Sequence, residues 1–305
     1  MTRLTLRDRV FAPRPGRPLV MGIVNANPDS FSDAVRTTTL DAQVALALQL
    51  VEDGADLIDV GGESGVTYTD VTAAEVERDR VVPLVDRLVR EGVTVSVDTW
   101  KPEVANAALD AGAHVLNDVS GLRDPALADA VARTGAALVV MHTRAAPKQE
   151  HFADYRGDVV SDVVSFVTER CALALSRGVR TEQLIVDPGP DFAKSPAESV
   201  ATLRAIDRLV ALGHPWLAAV SRKYFLAAIT GRPPAERLAG TLAAVGFAAD
   251  HGAAIVRVHD VAATVDYLGV REVLAGGAEV GEVDAGDDGL KWIRAQTTDV
   301  ESHNN

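Results

Sequence analysis

One cysteine, Cys171, stands in 305 residues. That excludes an intrachain disulfide and fits a reducing cytoplasm. No apolar run reaches the roughly 18 residues needed to cross a bilayer. The opening stretch, MTRLTLRDRVFAPRPGRP, lacks the apolar core of an export signal. The expectation is therefore a cytoplasmic protein with no membrane partner. A basic surplus is missing too: 30 Lys and Arg against 43 Asp and Glu leave a net charge of −13. That argues against nucleic acid as a partner and leaves a local phosphate site open. There is no His/Cys cluster at zinc spacing, no P-loop and no G-x-S-x-G nucleophile elbow. What remains is ordinary globular usage, 47% apolar and 24% charged, in a chain long enough for two average domains or one large α/β barrel.

One punctuation recurs: a helical stretch, a glycine, a few residues, then a short β-branched run, as in EDGADLIDV, REGVTVSVD and DHGAAIVRV. Gly54, Gly92, Gly112, Gly135, Gly178, Gly213 and Gly252 each sit where a left-handed helix C-terminal cap belongs. The runs after them predict strands near 57–60, 93–97, 113–116, 137–141, 184–187, 216–220 and 254–258, and LVMGIVN at 19–25 makes the eighth. Amphipathic stretches at 41–53, 73–91, 101–111, 158–177, 196–212 and 235–250 predict helices between them. Eight alternating units with near-continuous apolar strands imply an α/β fold, a parallel (β/α)₈ TIM barrel over 19–275. A doubly wound open sheet is the alternative. Residues 1–18 read as an N-terminal arm, and 276–305 as an acidic, glycine-rich, flexible tail.

Catalytic groups of such a barrel gather where its strands end. Here each strand runs out onto polar residues: Asn25, Glu63, Asp98, Asn117-Asp118, His142, Asp187, Ser221-Arg222-Lys223, and Arg257 with His259. Carboxylates and an amide suit a flat heterocycle with a guanidine-like N–C–NH₂ edge. Lys223, Arg257 and His259 supply donors for an oxo group or phosphate oxygens. A hard cation can bridge Asn25 and a ligand's phosphates, because magnesium commonly takes one protein oxygen plus substrate oxygens and water. His142 stays open between a site residue and a supporting one. His114, His151, His214 and His251 read as surface or loop residues, Cys171 as a small buried apolar residue, and Lys148 as a solvated loop lysine.

The strings MGIVNANPDSFSD, DLIDVGGES, VSVDT, LNDVSG, VDPG…F…K, SRKYF, ERLAGTLAA and RVHDV, in this order over about residues 19–270, resemble the dihydropteroate synthases. The resemblance implies a transferase of folate biosynthesis that joins 7,8-dihydropterin-6-ylmethyl diphosphate to 4-aminobenzoate and releases pyrophosphate, with magnesium as cofactor. By position it implies pterin contacts at Asp98, Asn117, Met141, Asp187, Phe192 and Lys223. It implies diphosphate contacts at Asn25, Arg257 and His259, a magnesium contact at Asn25, and an aminobenzoate side at Ser221. Asp98, Lys223, Arg257 and His259 become the catalytic set, stabilising a cation at the pterin methylene and the charge on the leaving group. A homodimer packed through the last helices is also implied.

The chain departs from that family's pattern in places. Gly65-Val66-Thr67-Tyr68 stands where Thr-Arg-Pro-Gly is usual, Asn27 replaces a threonine, Ala34 a glycine, and Asp191 a glycine. Arg36 and Arg144 are candidates to make up the missing cation. Two other readings follow: a paralogue using the same pterin diphosphate with another amine, and a non-catalytic pterin-binding protein.

Overall fold

The glycine punctuation is realised throughout. Gly54, Gly92, Gly112, Gly135, Gly178, Gly213 and Gly252 all have positive φ, from 72° to 105°, each just past a helix end. In the computed structural model, residues 3–26, 39–63, 70–149 and 151–280 are described. The altered first loop and the Gly65–Tyr68 stretch lie outside them.

A hairpin comes first, β1 (Leu4–Leu6) paired antiparallel with β2 (Arg9–Phe11). Eight strands follow: β3 (Leu19–Asn25), β4 (Leu57–Gly61), β5 (Val95–Asp98), β6 (Val115–Asp118), β7 (Ala137–Met141), β8 (Leu184–Asp187), β9 (Leu217–Ala218) and β10 (Ile255–Val258). They form one sheet in the order β8-β7-β6-β5-β4-β3-β10-β9, every pair parallel. A parallel bridge between Val186 and Trp216, with the Val186 N–H donating to Pro215 O at 2.9 Å, joins the two edges. Chain neighbours are sheet neighbours and the edges meet, so this is a TIM barrel and not an open doubly wound sheet.

Helices α1 (Leu40–Glu52), α2 (Ala74–Arg90), α3 (Pro102–Asp110), α4 (Ala126–Thr134), α5 (Val159–Ser176), α6 (Pro196–Arg204), α7 (Ile206–Val210), α8 (Tyr224–Thr230), α9 (Leu238–Asp250) and α10 (Val261–Leu274) connect them. The helix expected over 196–212 is broken at Ala205, which has φ −103° and ψ 21°. Side chains alternate across each strand. On β7, Ala137 and Val139 fill the lumen while Leu138 and Val140 pack under the helices. Cys171 is buried in α5, as expected.

The first residues plug the barrel's N-terminal end. Leu4 and Leu6 are fully buried in the lumen cluster with Met21, Leu57, Val115 and Ile255, each worth roughly 1.5–3 kcal/mol relative to exposure. The turn puts Arg7 at φ 59°. Its Nη1 donates to Leu109 O at 2.8 Å and Ala113 O at 3.0 Å. By contacts the chain divides into two compact units, Met1–Gly269 and Val270–Asn305. The described part of the second holds the end of α10 and an irregular stretch to residue 280.

Candidate active site

Strand register decides which polar residues meet at the C-terminal end. Asn25 is in register with Gly61, Gly61 with Asp98, and Asp98 with Asn117. Met141 is in register with Asp187. Gly61 leaves a gap in that row: a Cβ there would lie 3.8 Å from Asn25 Oδ1 and 3.7 Å from the Asp98 Cβ. Next to it, Gly62 lies so close to α2 that a Cβ would come within 2.6 Å of Val81 and 2.8 Å of Glu77. These two glycines end the strand flat against its neighbours and keep the mouth open.

A cavity of about 390 Å³ opens there. Asn25, Asp98, Asn117, Met141, Asp187, Phe192, Lys223, Arg257 and His259 line it. Of the residues to which the resemblance assigns a ligand contact, Ser221 alone stands behind the wall. Its Oγ lies 2.9 Å from His259 Nδ1 and accepts the His259 N–H at 3.2 Å.

Arg257 ties two carboxylates together. Arg257 Nε donates to Asp59 Oδ2 at 2.6 Å and Nη2 to Asp98 Oδ2 at 3.1 Å, while Asn117 Nδ2 donates to the same Asp59 oxygen at 3.1 Å. Burial raises the Asp98 carboxyl to about 7; Arg257 opposes this and Asp59, Glu77 and Asp118 add to it. Burial likewise raises Asp187, against the N–H that Gly189 donates to its Oδ1 at 2.7 Å and the charge of Lys223. Lys223 sits with its ammonium 4.3 Å from the Phe192 ring centroid. Burial lowers its pKa, and Asp191 and Asp187 oppose that.

The loop after β8 is braced from behind. At Gly189, φ is 62° and a Cβ would fall 2.1 Å from His142 O, so only glycine fits. Lys194 Nζ donates to Gly189 O at 2.9 Å and Phe192 O at 3.2 Å, and lies 2.7 Å from His142 Nδ1. Burial lowers Lys194 to about 7. Burial and Lys194 together lower His142 to about 3. His142 Nε2 reaches Asp162 Oδ2 at 2.9 Å, which makes His142 a supporting residue. Asp191 has φ 66°, a left-handed backbone that explains why glycine is usual there. Its carboxylate accepts the N–H of Tyr224, and that of Phe225 at 3.2 Å, tying this loop to α8.

Several strand-end residues turn away from the mouth. Asp118 caps its own loop through Ser120 N–H at 2.8 Å and Leu122 N–H at 2.5 Å. Arg222 pairs with Asp260 at 2.7 Å. Arg144 is engaged by Asp162 at 2.6 and 3.0 Å and does not line the cavity; Arg36 lies outside the described residues. Lys148 does line the cavity. Nearby, Glu63 accepts from Lys101 Nζ at 3.1 Å and Trp100 Nε1 at 3.0 Å, and Lys101 also bonds Glu77.

Two residues escaped the sequence reading. Asp59 was the only charged residue in the apolar run LIDV, a signal in itself, since a buried carboxylate requires partners. His114, expected at the surface, is buried at the barrel's other end.

A family model described as pterin binding enzyme matches residues 21–259. The chain is 43% identical over 260 residues to the dihydropteroate synthase of Mycobacterium leprae (strain TN), covering 82% of this chain and 91% of that one. The chain belongs to the dihydropteroate synthase family. It is also 44% identical over 252 residues, 82% of its length, to a probable bifunctional folylpolyglutamate synthase/dihydropteroate synthase of Haloferax volcanii, of which it spans 30%. A solved dihydropteroate synthase from Xanthomonas albilineans, in complex with 7,8-dihydropteroate, superposes with a TM-score of 0.79 at 44% identity. The match covers 92% of this chain and all of that one.

A magnesium ion is implied for dihydropteroate synthases by the resemblance. Among the described residues no group of three or more His, Cys, Asp or Glu could hold a metal. The side-chain oxygen of Asn25 on the cavity wall suits a hard ion that takes its other ligands from substrate and water. No helix among the described residues is long and apolar enough to cross a membrane.

Proposed function

We propose that this chain condenses 7,8-dihydropterin-6-ylmethyl diphosphate with 4-aminobenzoate. The C–O bond between the exocyclic methylene and the diphosphate breaks, the amine nitrogen forms a bond to that carbon, and its proton passes to solvent. The observation that carries this reading is the set of side chains around one cavity: Asp98, Asn117 and Asp187 for the heterocycle's N–H edge, Lys223 beside Phe192 for its oxo side, and Arg257 with His259 for an anion.

Each group has a physical role. Asp187 accepts the 2-amino and N3 hydrogens. Met141 and Phe192 hold the ring flat. Asp98, when ionised, favours the positive charge that develops on ring and methylene as the diphosphate departs. Arg257 and His259 stabilise the leaving oxygens, and Ser221 sets the His259 ring on the aminobenzoate side. Asn25 would hold magnesium, which supplies neutralising charge to the diphosphate.

We further place the enzyme in the cytoplasm, in keeping with its single, buried cysteine. We also propose a homodimer through the last helices, in keeping with exposed Ile229 and Leu238. Pure protein given the pterin diphosphate, 4-aminobenzoate and magnesium is expected to yield pyrophosphate and dihydropteroate in equal amounts. No pyrophosphate above the blank would overturn the proposal.

A further inference from the structure

We propose that Asp59 is a positioning residue that couples recognition of the heterocycle to the grip on the diphosphate, by holding Arg257 at Nε while its Nη2 is given up by Asp98. The inference rests on the function proposed above and concerns a residue that does not line the cavity.

Asp59 lies on β4 and is fully buried. Its Oδ2 accepts from Arg257 Nε on β10 at 2.6 Å and from Asn117 Nδ2 on β6 at 3.1 Å. One carboxylate oxygen therefore fixes two side chains that reach the cavity from different strands. Its other oxygen, Oδ1, is buried with no hydrogen-bond partner among the described residues. A buried carboxylate with one oxygen unsatisfied is costly, which points to a role other than stability.

The two partners are set in consequential ways. An amide whose nitrogen is held by a carboxylate presents its oxygen elsewhere, so Asn117 is oriented as an acceptor for ring N–H groups. Arg257 bonds Asp98 through Nη2 at 3.1 Å, and Asp98 is, with Asp187, one of the two carboxylates that face the heterocycle. A ring N–H arriving at Asp98 competes with Nη2. A guanidinium anchored at Nε can then turn its Nη groups outward to phosphate oxygens, which it matches in bidentate geometry. Without the Asp59 anchor, it would follow Asp98 or leave the site.

The experiment compares two ligands by calorimetry: the pterin methyl diphosphate, and the corresponding hydroxymethyl pterin that lacks the diphosphate. Wild type is expected to prefer the diphosphate. Asp59→Asn keeps the volume and loses the charge. It is expected to lower that preference roughly 10- to 100-fold, the range for a charged hydrogen bond, while the hydroxymethyl pterin weakens by less, because an amide oxygen at position 59 can still accept from Asn117. If Asp59→Asn does not fold, Asp59→Ser serves, because a hydroxyl is smaller and uncharged and leaves Arg257 itself intact; the same fall is expected. A variant that weakens both ligands equally, or keeps the wild-type preference, overturns the inference and leaves the proposed function standing. A wild type that binds the two ligands equally removes Arg257 from the diphosphate and both proposals with it.

Discussion

At the N-terminal end of the barrel the strands start on Leu19, Leu57, Val95, Val115, Ala137, Leu184, Leu217 and Ile255, and Leu4 and Leu6 fill the lumen between them. At the C-terminal end the same strands run out on Asn25, Asp98, Asn117-Asp118, Asp187 and Arg257, and a cavity takes the place of the plug. The apolar end gains stability from every side chain that it buries. The polar end buries carboxylates and a guanidinium whose desolvation is only partly offset by pairing. Stability and chemistry are thus separated along one axis, and variants at the two ends should fail in different ways.

The largest expected effect belongs to the polar end. Asp187→Ala should lower kcat/KM roughly 10³-fold, as for loss of a group aimed at the reacting ligand, with thermal unfolding little changed. A fall in Tm as large as that of a core variant would blur the separation. Next comes the plug: Leu6→Ala should cost about 2–5 kcal/mol in denaturant unfolding and leave KM for both substrates at the wild-type value. If KM rises with it, the two ends are mechanically coupled.

His114 sharpens the comparison through pH. Burial first, and then Arg9, lower its pKa to about 4, and its Nδ1 accepts the Val95 N–H at 3.1 Å, which requires that nitrogen to be unprotonated. The unfolded chain binds the proton near pH 6.5. The neutral histidine therefore contributes stability that is complete above about 6.5 and lost as pH falls towards 4. His114→Gln should flatten the acid limb of stability by on the order of 1–3 kcal/mol; an unchanged limb would dismiss this account. The smallest effect is kinetic. With Asp98 raised to about 7, its carboxylate form is depleted below that pH, so kcat/KM should fall about fivefold from pH 7 to pH 6 and rise by no more than about twofold above pH 7. A flat profile from pH 6 to 8 would show that Asp98 ionises elsewhere.

Much of this was legible in the residues. The glycine caps and β-branched runs led to eight parallel strands, because helix termination and strand propensity are local properties. What escaped depends on register and packing. The strands expected at 93–97 and 113–116 lie at Val95–Asp98 and Val115–Asp118, since pairing with neighbours, not propensity, sets their ends. Helix α4 was marked only by its cap at Gly135, and α8 and α10 were given no range. Asp98, Asn117, Asp187 and Lys223 could be nominated as strand-end residues. Asp59 offered only the signal of a lone charge within an apolar strand, because what it holds, Arg257, is 198 positions away in sequence. His142 looked like its neighbours at the mouth, and the buried Lys194 on one ring nitrogen and Asp162 on the other show which way the ring faces.

The closure of the barrel has a consequence of its own. β3 and β4 share five register pairs, whereas β9 has two with β10, and a single bridge joins its edge to β8. The ring is therefore a belt with a light buckle, and the buckle lies just before Ser221 and Lys223. Backbone amides around Trp216–Ala218 should exchange with deuterated water well before those of β3 and β4. Ligand that bridges the β8 and β9 loops should slow that exchange, fastening the belt from above.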